Sequence, residues 1–209
     1  MKSVGAVIPS NIGWLQAKLD DKEMGFLWDC IKDPQRNMKK DLAGNITDSW
    51  AIIDKDNWFW ENVLYKLCLN YGEVFRNMGD YAPLDKSHPY SYFLSSFWAN
   101  RQKQNEFNPQ HNHSGVYSFV IWMKVPFHYK QQNKNPIAAD SNLPRISSFE
   151  FTYNDLLGGY NTYQYNLCPE DEGTLLFFPS KLYHQVYPFY NCKEDRISIS
   201  GNVAVEVLK

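Results

Sequence analysis

The chain has 209 residues, 44% of them hydrophobic and 21% charged, with a formal net charge of −2. That length suits one large domain or one domain with an appendage, because single cores stop growing at roughly 250–300 residues. The balanced charge argues against a partner held mainly by electrostatics, whether nucleic acid or an anionic membrane surface, since either needs a basic excess.

Trp, Tyr and Phe make up 16% of the chain, far too much ring surface for disorder. Cys30, Cys68, Cys168 and Cys192 are widely spaced with no CxxC pair. This is the pattern of reduced thiols rather than of a zinc knuckle or a disulfide framework. The apolar run before Pro9 is too short for a signal-peptide core, and no stretch approaches the ~18–20 residues of a membrane span. A cytoplasmic protein is expected.

Two helices are legible first. Asp20 stands three residues before Glu23, the spacing of a capping box, and Met24, Leu27 and Ile31 follow at helical intervals. Pro34 stops that helix at or before Asp33. A second helix is expected to start near Asp56, with Trp60, Val63, Leu64, Leu67, Tyr71, Val74 and Phe75 as its core stripe and Gly72 weakening its last turn. The polar segment from Pro34 to Asp48 reads as a loop.

From about Pro89 the texture changes to short aromatic and β-branched runs. Strands are expected at Tyr90–Asn100, Gly115–Val125, Ser147–Tyr153, Asn161–Leu167, Thr174–Phe178, His184–Pro188 and Ile197–Val207. The last alternates: Ile197, Ile199, Val203, Val205 and Val207 on one face, Arg196, Ser198, Ser200 and Asn202 on the other. The Asn-, Gln- and Lys-rich stretch from Lys130 to Arg145 has the length of a lid or binding loop. The expectation is a single domain over 1–209, with a helical support region at 1–88 and a mainly β jelly roll at 89–209.

Histidine is scarce, and its placement is the sharpest signal. His111 and His113 form an H-x-H pair before a strand, and His184 stands alone after the apolar run Thr174–Pro179. Imidazoles two apart in an extended segment face the same way, so they can share a metal with a third ligand from a distant strand. Two histidines near a strand end are, however, commonly hydrogen-bonded surface groups. Arg196 and Ser198 lie on one strand face, a natural clamp for a carboxylate. An outer-face ion pair of Arg196 with Glu194 or Asp195 is the alternative. Tyr117, on the face of His111 and His113 if the strand is regular, would add a phenol hydrogen bond to such an acid. Asn100 and Gln110 are candidates to orient the imidazoles. His88 and His128 have no partner pattern.

His184 followed by Arg196-Ile197-Ser198 resembles the distal histidine and R-x-S clamp of Fe(II)/2-oxoglutarate-dependent oxygenases. More narrowly, six segments occur in the order of one prolyl-hydroxylase-like family of such oxygenases, many of whose members are carried by bacteria and by cyanophages. They are Trp98-Ala99-Asn100, His111-Asn112-His113, Ser114-Gly115-Val116-Tyr117, Gly173 through Pro179, His184-Gln185-Val186, and Arg196 through Asn202. The resemblance covers roughly Pro89 to Val205. It implies a double-stranded β-helix with iron at its open end and 2-oxoglutarate as cosubstrate. The far carboxylate of that cosubstrate would meet Arg196, with Ser198 and Tyr117 assisting, and succinate and CO2 would leave as a prime substrate is hydroxylated. A phage-encoded member would work in the host cytoplasm.

The departure is the carboxylate. The wider superfamily uses two histidines and an Asp or Glu, but His113 stands two after His111 and Gly115 two after His113. A three-histidine site of His111, His113 and His184 ranks first. Glu150, in Ser148-Phe149-Glu150-Phe151, is the best candidate for a carboxylate from elsewhere, though more simply a polar residue of its strand, and His113-Ser114-Gly115 is superficially similar to the His-x-Gly of oxygenase-type halogenases. A cupin-like binding module and a 2-oxoglutarate-independent metal dioxygenase are the competing functions. The prime substrate, small molecule or peptide, is not legible.

Overall fold

The computed structural model describes residues 3–5, 12–82 and 88–208. The apolar run before Pro9 lies largely outside them. Among the described residues, ten strands form two antiparallel sheets. They are β1 (Leu15–Lys18), β2 (Asp48–Ala51), β3 (Tyr90–Gln102), β4 (Asn108–His111), β5 (Tyr117–Lys124), β6 (Phe149–Asn154), β7 (Tyr160–Tyr165), β8 (Thr174–Pro179), β9 (Tyr183–Val186) and β10 (Arg196–Val207). The larger sheet runs β1-β8-β5-β10-β3-β2 and the smaller β4-β9-β6-β7. The small sheet closes over one face of the large one as a jelly roll, and helices cover the other face. No described helix is long and apolar enough to cross a membrane.

Alternation along the central strands separates two cores. On β5, Tyr117, Phe119, Ile121 and Met123 face the helices, while Val120 and Trp122 face the small sheet. On β8, Leu175 and Phe177 join the helix-side core, and Leu176 and Phe178 the inter-sheet core. β10 follows suit: Ile199 and Val203 lie on the helix side, so Arg196, Ser198 and Ser200 point between the sheets.

Helix α1 (Asp21–Lys32) starts as its sequence dictates. The Asp20 side chain accepts from Glu23 N, and the Glu23 carboxylate accepts from Asp20 N, each at 2.8 Å. Leu27, Cys30 and Ile31 are its buried face. The second helix is less regular than its stripe suggests. A 3-10 turn at Lys55–Asn57 and a π-helical turn at Trp60–Leu64 precede α2 (Tyr65–Val74). Asp54, two residues before the expected start, accepts from Phe59 N and Trp60 N at 2.9 and 2.8 Å. Leu64, Leu67 and Tyr71 are buried as expected, but Val74 is exposed.

Three strands escape the sequence reading. β1 and β2, both inside the expected helical region, form the two edges of the large sheet. β4 is the third. The Lys130–Arg145 stretch is no lid over the histidines. It begins inside the single-turn α3 (Tyr129–Gln132) and is tied to its surroundings by Gln132 Nε2 donating to Tyr190 O at 2.8 Å and Tyr190 N donating back to Gln132 Oε1 at 2.9 Å. The segment that leans over the histidine cavity is instead Asp41–Ile46, from the polar loop of the N-terminal region.

Candidate metal centre

β4 and β9 pair with His111 directly opposite His184. Cross-strand partners share a face, so both rings enter the space between the sheets. His113 follows β4, fixed by its N–H donating to Ser180 O at 2.8 Å. One ligand atom of each of the three imidazoles lies within 4.8 Å of the others, and His113 Nε2 stands 3.2 Å from His184 Nε2.

The backbone selects the tautomers. His111 Nδ1–H donates to Pro109 O at 2.7 Å, and His184 Nδ1–H donates to Leu182 O at 3.0 Å. Both rings therefore turn the Nε2 lone pair toward the shared centre, the arrangement of metal-ligating histidines. Burial lowers the basicity of all three. His113 is brought down to about 4 by burial and by its neighbour His111. Burial comes first for His184 too, ahead of the neighbouring imidazoles, and holds it well below its usual value. His111 is lowered by burial, partly offset by its bond to Pro109 O. Neutral imidazoles are the ligating form, and nitrogen donors of this kind suit iron and its late first-row neighbours. The residues present fit a divalent metal.

A cavity of about 190 Å³ joins the histidines to Arg196, Ser198 and Asn100. Arg196 is 2% exposed. It donates from Nη1 to Ser147 O at 2.8 Å, and from Nη2 to Gln102 Oε1 at 2.6 Å and Tyr187 O at 3.1 Å. Its guanidinium carbon lies 5.6 and 5.5 Å from the rings of Phe127 and Phe189. Burial pushes the group down to about 9. All three acceptors are neutral, and no carboxylate among the described residues pairs with it. The surface ion pair with Glu194 or Asp195 is not formed: Glu194 binds Lys124 Nζ at 2.6 Å. Asn100 Oδ1 accepts from Ser49 Oγ at 2.6 Å inside the same cavity.

Three expectations fail on geometry. Tyr117 does not reach the cavity. Gly115, at φ +95°, turns the chain between His113 and β5, so the strand periodicity assumed for Tyr117 does not run back to the histidines. Its ring instead packs at 5.0 Å on Tyr71 and 4.8 Å on Phe177, and its hydroxyl accepts from Met78 N at 3.1 Å. Glu150 supplies no carboxylate. It pairs with Gln185 on β9, while Phe151 pairs with His184, so Glu150 points to the outer face. There its Oε1 accepts from Arg145 Nη1 and Gln185 Nε2, each at 2.7 Å. Gln110 faces away as well, donating to Thr152 Oγ1 at 2.9 Å.

Gly115 has a backbone reason that needs no halide: a Cβ there would meet Val203 O at 2.7 Å. His128 caps α3 by accepting from Lys130 N at 3.1 Å.

Sequence reasoning missed Gln102 and Asn108 as neighbours of these groups, while Trp98, from the first of the six segments, has its ring 5.9 Å from that of His113. Gln102 was within reach, because β3 continues two residues past its expected end at Asn100 and pairs it directly with Arg196.

The fold is similar to that of a solved structure. A crystal structure of a Pseudomonas putida prolyl-4-hydroxylase aligns over 91% of this chain and 91% of its own, with a TM-score of 0.52 at 14% identity. An oxidoreductase of the 2OG-Fe(II) oxygenase family from Burkholderia pseudomallei aligns over 65% of this chain and 55% of its own, at 17% identity and a TM-score of 0.38. No curated protein matches the chain in sequence. A family profile described as "Putative 2OG-Fe(II) oxygenase" matches residues 96–202, just over half the chain and the span that contains His111, His113, His184 and Arg196. The chain belongs to this family of 2OG-Fe(II) oxygenases.

Proposed function

We propose that the protein is an Fe(II)- and 2-oxoglutarate-dependent dioxygenase that hydroxylates a prime substrate with release of succinate and CO2. One observation carries this reading: a single cavity holds three converging imidazoles and, on its large-sheet wall, a buried guanidinium without a counter-ion among the described residues. A dicarboxylate with a keto group suits both, one end at the metal and the other at Arg196. His111, His113 and His184 would hold the ion, which when bound supplies the redox chemistry and activates oxygen. Arg196, steadied by Gln102, Ser147 O and Tyr187 O, binds and orients the far carboxylate, and Ser198 stands on the same strand face to add a hydroxyl. Phe149 and Phe178, whose rings lie 5.7 and 5.0 Å from that of His184, keep water from that side of the site. A buried arginine without a carboxylate speaks against a 2-oxoglutarate-independent dioxygenase, which has no use for it.

Anaerobic addition of Fe(II) and 2-oxoglutarate should produce the weak visible absorbance of a keto-acid chelate. His184→Ala should abolish it. Arg196→Ala should weaken 2-oxoglutarate roughly 10- to 100-fold, the worth of a charged hydrogen-bonded contact. Binding of 2-oxoglutarate that is absent, or independent of metal, overturns the reading.

A further inference from the structure

Asn108 enters the histidine cavity because β4 is bulged. It stands opposite Val186 while His111 stands opposite His184, so three steps along β4 match two along β9. Residues three apart on a regular strand face opposite ways; the extra residue returns both Asn108 and His111 to the cavity side. Asn108 Nδ2 lies 3.5 Å from His111 Nε2, and Asn108 Oδ1 is buried with no hydrogen-bond partner. A buried amide oxygen left unpaired is costly. Half a turn about the Cβ–Cγ bond, a soft torsion in asparagine, carries that oxygen to the place of Nδ2, beside the lone pair of His111. No carboxylate oxygen of the described residues joins the three-imidazole group. Asp41 lines the cavity but is half-exposed and paired with Arg36.

We propose that the Asn108 carboxamide oxygen is a fourth, releasable ligand of the metal held by His111, His113 and His184. This rests on the three-histidine reading of the site. Amide oxygens are ordinary ligands of divalent cations. Three imidazoles and an amide are all neutral, so the ion keeps its full charge and favours an anionic chelator. Three imidazoles leave three positions of a six-coordinate ion, which a chelating keto acid and one further reactant would fill between them. The amide is therefore a ligand of the cosubstrate-free state and is given up when 2-oxoglutarate binds.

Co(II) serves as the probe, read by its visible d–d bands and by titration, with and without saturating 2-oxoglutarate. Asn108→Ala should weaken Co(II) alone by about tenfold or more, the range for lost metal-site contacts, and change its affinity less than about threefold when 2-oxoglutarate is saturating. By reciprocity of linkage, 2-oxoglutarate should then bind the Co(II)-loaded variant more tightly than the native protein. Asn108→Asp, of nearly the same shape, should bind Co(II) alone more tightly than the native protein and keep its band shift when 2-oxoglutarate is added. Unchanged Co(II) affinity and bands in Asn108→Ala overturn the proposal, and so does an equal loss with and without 2-oxoglutarate. His184→Ala separates the two readings. If it still binds Co(II), the three-histidine site itself fails. If it does not, while Asn108→Ala binds normally, only the fourth ligand fails.

Discussion

Arg196 donates to two carbonyls and one amide oxygen, all neutral, so its guanidinium is held by direction rather than by charge. Gln102 is the side-chain member of that set and is itself 3% exposed, with Nε2 donating to Glu106 O at 2.5 Å. Gln102→Leu keeps the bulk but leaves a buried cation one acceptor short. It should cost about 1–3 kcal/mol in urea unfolding and weaken 2-oxoglutarate without shifting metal affinity, a split that calorimetric titration of each ligand reads directly. Equal weakening of metal and cosubstrate would mean that Gln102 supports the cavity as a whole. Scarcity made His111, His113, His184 and Arg196 legible in the sequence, because few residue types do their chemistry. Tyr117 and Glu150 were misplaced for one reason: each lies one strand face away from the cavity. The turn at Gly115 that re-phases the strand leaves no periodic trace before the backbone is known. Asn108 was hidden by the same limit, since only a bulge brings it beside His111.

At the scale of elements, local signals and burial carry very different weights. The Asp20–Glu23 capping box is exposed, and its loss in Asp20→Ala should cost only about 1 kcal/mol. Phe151 on β6 is fully buried, with ring centroids 4.6 Å from Trp14 and 4.9 Å from both Phe149 and Phe178. Phe151→Ala should cost about 3–5 kcal/mol and open space behind the His184 ring, whose centroid lies 6.2 Å from that of Phe151. Comparing urea midpoints of the two variants at constant slope tests that ordering, and equal costs would contradict it. The capping box was readable because its signal is contained in four residues. The central strands were readable because they alternate or are uniformly apolar over six or more positions. β1, β2 and β4, each of four residues, are edge strands of their sheets. Their pairing depends on partners far along the chain, and Pro109 inside β4 argues locally against a strand, although an edge position tolerates it.

The whole molecule is organised about one sheet with a core on each face. Cys30 and Cys68 lie in the helix-side core, at 3% and 2% exposure, while the histidines and Arg196 lie on the opposite side of β5, β8 and β10. Because the same strands wall both cores, the helix layer cannot leave without exposing the backs of the strands that shape the cavity. Burial pushes Cys30 up to about 11 and Cys68 up to about 12, so neither offers thiolate near pH 8 in the folded state. Cys168 and Cys192 are both only partly buried, but burial and the neighbouring Glu170 and Asp171 push the Cys168 thiol up to about 12, so Cys192 should react first with a thiol reagent. Labelling of Cys30 and Cys68 then reports opening of the helix layer, and when reclosing outruns reaction its rate follows the open population. A ligand that binds only the native state lowers that population by a factor of 1 + [L]/Kd, about 100-fold and about 2.7 kcal/mol at 100 times Kd. If the two cores open together, saturating Co(II) with 2-oxoglutarate should slow Cys30 and Cys68 by that factor and leave Cys192 unaffected. Mass spectrometry of the labelled peptides reads each cysteine separately. Labelling of Cys30 and Cys68 that ignores the ligand would show instead that the helices open as their own unit and leave the jelly roll standing.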